Sequence, residues 1–263
     1  MARKTRKSFN WIRFLVLLLV ACFLLPILEV FAVRFVNPPI TTLMIVRRCE
    51  AMMSHRYSGE IRYRWIPLNQ VPDDFLKAVW QMEDARFFSH EGFDWIEMEE
   101  AIQRAEKRHR PVRGVSTITN QCARSLFLWQ GRSWIRKGLE AYFTFLMEHL
   151  LTKQRILELY VNVIELGDGI YGIEEAARDY YSVPAQRLNR SQCAMLAAML
   201  PFPRGWDPHN PSPRLRLRYS LVLKRMNAGG SIERKLGEGS ARACCLRDCV
   251  GLWTDSLESH AKA

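Results

Sequence analysis

The sequence predicts a mostly α-helical protein that is attached to a membrane by one N-terminal transmembrane helix. Two observations support this fold class. Apolar residues recur at helical spacing in several stretches, for example at Phe75, Val79 and Met82. Ahead of them, residues 14–33 read FLVLLLVACFLLPILEVFAV, twenty residues with Glu29 as the single charge. A chain of 263 residues can bury a sizeable core and is expected to form one or two domains.

The apolar run at residues 14–33 has the length that a helix needs to cross a membrane. Because five basic residues lie within residues 1–13, the positive-inside rule places that segment in the cytoplasm and the chain after Arg34 outside it. A cleaved signal peptide is the alternative, since residues 30–32 (VFA) resemble a cleavage site. We favour an uncleaved, single-pass anchor in the inner membrane, because the apolar run is long for a signal sequence.

The net charge of +11 is unevenly distributed. Eight positive charges lie between Lys107 and Lys137, in a stretch that contains no Asp or Glu. Such a run is typical of a surface that binds a polyanion or an anionic membrane. Nucleic acid is the usual partner of a basic protein, but anionic headgroups and a lipid diphosphate fit a membrane-attached protein better. We therefore expect no nucleic-acid partner.

Two carboxylates bracket the basic run. Glu83 stands where the apolar pattern of a predicted helix ends, and Glu140 closes the run in RKGLE. A departing diphosphate needs fixed cations rather than a proton donor, whereas an attacking hydroxyl needs a general base. A glycosidase instead needs one carboxylic acid that stays protonated, which neighbouring cations disfavour. The pattern therefore favours diphosphate displacement.

Four ordered motifs carry a family resemblance. They are EDARFFSHEG (residues 83–92), GVSTITNQ (114–121), RKGLE (136–140) and RILELYVN (155–162). These motifs resemble those of the peptidoglycan glycosyltransferases, the family shared with the glycosyltransferase domain of class A penicillin-binding proteins. The surroundings of the third motif resemble the monofunctional, membrane-anchored biosynthetic branch. The resemblance covers roughly residues 60–228.

The resemblance implies a lysozyme-like glycosyltransferase domain at residues 60–228 and a definite reaction. Glu83 would be the general base that takes the proton from the 4-hydroxyl of lipid II. The growing chain would be transferred onto that oxygen with inversion, and undecaprenyl diphosphate would be released. Glu140 would support the diphosphate directly or through a divalent cation. No cofactor is expected to be required, and stimulation by Mg or Mn near Glu140 stays open.

Seven further residues are predicted to contact substrate. They are Ser116, Thr117, Gln121, Arg124, Arg132, Arg136 and Lys137. Ser116 or Thr117 is a suitable N-cap, and a helix N-terminus offers free N–H groups to phosphate. The second motif departs from the family pattern at Val115, Asn120, Arg124 and Ser125. These departures motivate one rival hypothesis, a catalytically impaired scaffold that binds lipid II without polymerising it.

A lysozyme-like peptidoglycan hydrolase or lytic enzyme is the second rival, because it would share a helical fold and a catalytic Glu. It should not need the basic run. The resemblance also implies partners, namely lipid II, the growing lipid-linked chain, membrane lipids, and cell-division or elongation proteins. We expect no transpeptidase domain, since 263 residues leave no room for one beside the glycosyltransferase domain.

Several further positions are predicted to shape the fold. Asp84, His90 and Asn162 are expected to have structural roles, and Glu140 is expected to look into a cleft. Thr152 is a predicted N-cap for a helix whose core face holds Ile156, Leu159, Tyr160 and Val163. Asn189 with Gln192 resembles a capping box before another helix.

The remaining segments are less informative. Residues 34–59 are interpreted as a connector without assigned chemistry. Residues 93–112 are either a mobile flap that reaches into the bilayer, as the resemblance implies, or a surface helix. Trp134, Leu139, Phe143, Met147 and Leu150 are predicted to form one buried stripe. Residues 229–263 have the composition of a disordered tail and hold a Cys cluster that we do not interpret as a metal site.

Overall fold

The computed structural model describes residues 11–54, 60–111, 114–131 and 133–228, together with residues 232, 235 and 236. Arg132 lies outside the described residues, as do residues 1–10 and the Cys cluster of the C-terminal segment. Their predicted roles stay predictions.

The described residues fold into helices and one small sheet, which confirms the predicted fold class. The helices are α1 (Trp11–Phe35), α2 (Thr42–Ser54), α3 (Asp73–Glu83), α4 (Trp95–Lys107), α5 (Ile118–Phe127), α6 (Trp134–Leu150), α7 (Lys153–Val163), α8 (Ile173–Tyr181), α9 (Arg190–Met199) and α10 (Pro213–Ala228). The strands are β1 (Arg62–Tyr63), β2 (Glu165–Gly167) and β3 (Ile170–Tyr171). Their order is β1-β3-β2, with β1 parallel and β2 antiparallel to β3.

The core lies around α5 and α7. Helix α5 packs against α6 and α7, while α3 packs against α9 and α10 on the other side of the domain. Helix α7 begins after Thr152, whose hydroxyl accepts from the Arg155 N–H as an N-cap, and its apolar face is fully buried as predicted. Helix α9 begins at the predicted capping box of Asn189 and Gln192.

Asn162, the last residue of the fourth motif, joins α7 to the segment that enters the domain. Its side-chain oxygen accepts from the Ile66 N–H at 2.9 Å, and its amide group donates to the Ile66 carbonyl at 2.8 Å. Asn162 is fully buried. Gly172, where φ is +79°, packs so closely against it that a Cβ at position 172 would lie 2.5 Å from the Asn162 carbonyl oxygen. Asn162 therefore has the structural role that the sequence predicted.

Helix α1 contains the whole predicted anchor and is the one described helix long and apolar enough to span a membrane. Most of its side chains are exposed, but Pro26, Val30 and Val33 pack against the domain. The Tyr142 hydroxyl of α6 donates to the Phe23 carbonyl at 3.0 Å, in the middle of the apolar run. This arrangement fits a single-pass membrane protein whose domain lies directly against its anchor.

Two features of the fold differ from the sequence prediction. The connector contains a helix, α2, which packs against α5. The prediction that Trp134 belongs to a buried stripe is wrong, since Trp134 is 93% exposed, whereas Phe143 and Met147 are buried. Helix α6 starts at the Ser133 N-cap and its first turn extends beyond the core. Helical spacing gives the stripe but not the point at which the neighbouring core begins.

Replacing Asn162 by Ala should destabilise the domain. The buried N–H and carbonyl of Ile66 would lose their partners, at a cost of about 1–3 kcal/mol for each group. The matched control is Gln103→Ala on α4, whose amide makes an exposed hydrogen bond to Glu99 and should change stability by less than about 0.5 kcal/mol. Denaturant unfolding in detergent measures both, and equal losses would contradict the assigned role.

Candidate active site

Asp84 connects the first two motifs. It follows α3 directly, and its buried carboxylate accepts from the backbone N–H of Ile118, the first residue of α5, at 3.0 Å. His90 Nδ1 accepts from the Gly92 N–H, so Nε2 carries the proton and donates to Asp84 at 2.9 Å. These bonds confirm the structural roles predicted for Asp84 and His90. They also hold the end of α3 against the beginning of α5.

Thr117 makes the second connection between the motifs. Its hydroxyl caps α5 by accepting from the Asn120 N–H, and it donates to the Gly92 carbonyl at 2.7 Å. Gly92 has φ +88°, and a Cβ there would lie 2.8 Å from the Thr144 methyl group. The site therefore requires glycine at this position.

Glu83, the last residue of α3, lies at the centre of the arrangement, with 14% of its side chain exposed. Its Oε1 accepts from Arg218 Nη2 at 2.7 Å, and its Oε2 accepts from Gln121 Nε2 at 3.0 Å. The Gln121 oxygen in turn accepts from the Tyr160 hydroxyl at 3.0 Å. Burial, with the nearby Glu83 charge, raises the pKa of Tyr160 well above its ordinary value, so this hydroxyl stays a donor.

Sequence reasoning missed Arg218 as a site residue and treated Tyr160 as core. Arg218 lies in the segment RLRLRYSLVLKR, where basic and apolar residues alternate. This segment lies outside the four motifs. The fourth motif did contain Tyr160, and its hydroxyl was the available signal, because a buried Tyr hydroxyl usually has a partner.

Glu140 holds a cluster of cations. It is completely buried, although the sequence placed it at the edge of a cleft. Arg136 Nη1 donates to its Oε2 at 2.7 Å, Lys137 Nζ contacts its Oε1, and Arg124 Nη1 lies 3.9 Å from Oε2. Arg136 also donates to the Gly131 carbonyl at 2.7 Å. The carboxylate therefore fixes the positions of three side chains predicted to bind the leaving group.

The residues around Glu140 do not suit a divalent cation, because both carboxylate oxygens already face cationic side chains. Among the described residues, ligand-type atoms of Asp84, His90 and Asp94 lie within 4.8 Å of one another. There too the oxygens are engaged, by His90, Ile118 N–H and the guanidinium of Arg86. The proposed mechanism therefore assigns no step to a metal ion.

Two cavities border this arrangement. The larger, with a volume of about 870 Å³, is lined by Glu83, Ser116 and Thr117 and by cations from α10 and from residues 104–110. The smaller, of about 400 Å³, is lined by Gln121, Arg124 and Tyr160. The Gln121–Glu83 hydrogen bond therefore connects the walls of the two cavities. The buried Ser116 hydroxyl has no hydrogen-bond partner among the described residues.

Helix α4, within the segment interpreted as either a flap or a surface helix, forms one wall of the larger cavity. Arg86 holds this helix in place through ion pairs with Asp94 at 2.9 Å and with Glu97 at 3.1 Å. Burial alone would raise the pKa of Asp94, but the Glu97 N–H and the Arg86 guanidinium hold it below its ordinary value. Trp95 and Ile96 are exposed on this helix. This geometry is compatible with either interpretation.

A sequence profile of the transglycosylase family matches residues 50–227, which is more than half of the chain. The chain belongs to the transglycosylase family. The match begins inside α2, so the family region includes part of the segment interpreted as a connector.

Relatives of this transglycosylase agree with the profile. A biosynthetic peptidoglycan transglycosylase of Xanthomonas campestris pv. campestris (strain B100) is 41% identical over 223 residues, covering 85% of this chain and 89% of the relative. One from Bdellovibrio bacteriovorus is 44% identical over 193 residues, covering 73% and 76%. One from Xylella fastidiosa (strain M23) is 40% identical over 222 residues, covering 84% and 91%.

Replacing Glu140 by Gln should destabilise the transglycosylase strongly. The buried Arg136 would lose its ionic partner, which costs about 3–5 kcal/mol in comparable buried pairs. Glu100→Gln is the matched control, because Glu100 pairs with Arg104 at the same i, i+4 spacing on an exposed surface and should cost about 0–1 kcal/mol. Unfolding curves of both variants are compared with the parent. A Glu140 variant as stable as the Glu100 variant would refute the buried-cluster interpretation.

Proposed function

We propose that this transglycosylase builds the glycan strands of peptidoglycan from lipid II, with Glu83 as the general base. The observation that carries the proposal is the position of the Glu83 carboxylate. It is bound by Arg218 and Gln121, it borders the larger cavity, and a cluster of cations lies near the other side of Gln121. A carboxylate that is held in place beside open space is suited to accept a proton.

The reaction couples two bond changes. The 4-hydroxyl of lipid II loses its proton to Glu83 as its oxygen attacks C1 of the N-acetylmuramic acid that ends the growing chain. The C1–O bond to the diphosphate breaks on the opposite face, and its electron pair leaves with undecaprenyl diphosphate. The product is a β-1,4 link, the anomeric configuration is inverted, and the protonated Glu83 then releases its proton to water.

The cation cluster supports the departure of the diphosphate. Arg124 lines the smaller cavity, and Arg136 and Lys137 share the Glu140 carboxylate with it. Cations held in place before the reaction stabilise the charge that develops on the leaving group without having to reorganise. We therefore assign the donor diphosphate to the smaller cavity and the acceptor sugar to the larger one, with Ser116 and the start of α5 on its wall. Arg132 is one more cation that the sequence predicts to contact the substrate.

Three of the four departures in the second motif, at Asn120, Arg124 and Ser125, leave this arrangement intact. The Asn120 side chain is buried and accepts from the Thr144 hydroxyl at 2.7 Å, and Ser125 donates to the Gln121 carbonyl at 2.9 Å. Both side chains serve packing, and Arg124 keeps a cation at its position. These contacts favour an active enzyme over a scaffold. The three cations around Glu140 favour diphosphate displacement over hydrolysis.

Membrane lipids are the second proposed partner. Helix α6 packs against α1 at the level of Phe23, inside the apolar run, and carries the exposed Trp134 and Ile135 in its first turn. We place the N-terminus in the cytoplasm and the domain on the outer face of the inner membrane, where the lipid tails of both substrates can stay in the bilayer.

Glu83→Gln should greatly lower the rate of polymer formation while leaving the fold intact. The amide keeps the shape of the side chain but accepts no proton, and loss of a general base costs about 100- to 10,000-fold in rate. Detergent-purified parent and variant are incubated with labelled lipid II, and the products are separated on a gel. Thermal unfolding shows that the variant is folded.

Three outcomes would overturn parts of this proposal. Polymer from Glu83→Gln at the parental rate would remove Glu83 as the base. Binding of lipid II without polymer by the parent would favour the scaffold. Release of soluble fragments from purified sacculi would favour the hydrolase.

A dye at position 135 should report a lipid environment. Ile135→Cys and Leu217→Cys are compared in a variant without other cysteines, because these side chains are 75% and 73% exposed on two different helices, α6 and α10. Of the two helices, α6 is the one proposed to lie against the bilayer. In nanodiscs, the dye at position 135 should shift to shorter emission wavelengths and be quenched by brominated lipid, unlike the dye at position 217. Equal spectra would place α6 outside the bilayer.

A further inference from the structure

Arg218 is the cation that contacts the proposed base directly. Its Nη2 donates to Glu83 Oε1 at 2.7 Å, across 135 positions of the chain. The side chain is 24% exposed and that of Glu83 is 14% exposed, so the pair is largely shielded from water. An ion pair in such surroundings is screened less by salt and solvent than one on the surface.

Three helices fix this pair in space. Helix α10 packs against both α3 and α9, with Leu215, Val222 and Met226 buried in the contact. Arg218 Nε donates to the carbonyl of Ala198 near the end of α9 at 3.1 Å. One edge of the guanidinium is therefore held by α9, and the other is presented to the end of α3. Such anchoring leaves the guanidinium little freedom to turn toward a substrate.

Gln121 binds the second oxygen of the same carboxylate, so the two donors together fix the plane of the Glu83 carboxylate. Their contributions differ. The Gln121 amide is neutral and orients the group, whereas Arg218 carries a charge that it cannot lose. The hydrogen bond from Arg218 is charge-assisted, so it is the stronger of the two contacts that hold the Glu83 carboxylate.

We propose that Arg218 is a positioning residue for the general base, which holds the Glu83 carboxylate in its orientation before the acceptor arrives and throughout each transfer. This inference rests on the proposed role of Glu83. Arg218 acts through Glu83 and need not touch either substrate. It should therefore govern the rate of the bound complex rather than the affinity for lipid II.

The test compares the steady-state kinetics of polymerisation for Arg218→Ala, Arg218→Lys and a control. The control is Arg216→Ala, on the same helix but with its side chain exposed. For Arg218→Ala we expect kcat to fall about 100-fold, the typical effect of a misplaced catalytic group, with little change in KM. Arg218→Lys should be intermediate, and Arg216→Ala should behave as the parent. A parental kcat in Arg218→Ala, or a raised KM with unchanged kcat, would overturn the inference.

Chemical rescue separates positioning from a general structural role. Guanidinium chloride at concentrations far below denaturing should restore part of kcat in Arg218→Ala, because the free cation can occupy the vacated space beside Glu83. Guanidinium chloride should not restore kcat in Gln121→Ala. If Arg218→Ala does not fold, Arg218→Lys is used in its place. A parental kcat in Arg218→Lys would show that simultaneous hydrogen bonds to Ala198 and Glu83 are not required, and would overturn the inference.

A double-mutant comparison distinguishes failure of this inference from failure of the proposed function. If Arg218 acts through Glu83, Arg218→Ala should cause no further loss of kcat in a Glu83→Gln background. A further loss of the same size as in the parent would show that Arg218 acts independently and would overturn the inference alone. An active Glu83→Gln variant would instead overturn the role of Glu83 itself.

Discussion

The hydrogen bond from the Ile118 N–H to the Asp84 carboxylate is the contact on which the active site depends. It joins the end of α3 to the beginning of α5, and the bonds of His90 and Thr117 to the same turn reinforce it. Because Asp84 is anchored in this way, Glu83 comes within reach of Gln121 on the next turn of α5. The first two motifs are therefore one structural unit, although they are separated along the chain.

Charge is distributed around this unit in two separate groups. Near the proposed base, Arg218 and the neutral Gln121 amide bind Glu83, and the Tyr160 hydroxyl binds that amide. Near the leaving group, Glu140 is completely buried and surrounded by cations. Each group contains a carboxylate, but their environments give them different tasks: one borders a cavity and can take a proton, and the other holds cations in place. In the proposed mechanism, this division lets a glycosyltransferase use two acids without a glycosidase mechanism.

Much of this architecture could be predicted from the sequence, because it depends on local patterns. The apolar face of α7, the caps at Thr152 and Asn189, and the end of α3 at Glu83 are all set by residues within a few positions of one another. The features that the sequence did not reveal depend on distant parts of the chain. Arg218 meets Glu83 only because α10 packs on α3, and Trp134 is exposed because no neighbouring element covers the first turn of α6.

The most direct test of the account is a structure of the full chain in a lipid nanodisc with a non-reactive lipid II analogue bound as acceptor. The account predicts that the 4-hydroxyl of the N-acetylglucosamine lies about 2.6–3.2 Å from a Glu83 oxygen, the distance that proton transfer requires. It also predicts that the Glu83–Arg218 contact is retained and that Arg124 stays free to meet a donor diphosphate. A complex in which the acceptor hydroxyl lies far from Glu83, or in which Arg218 leaves Glu83 to bind the lipid diphosphate, would contradict it.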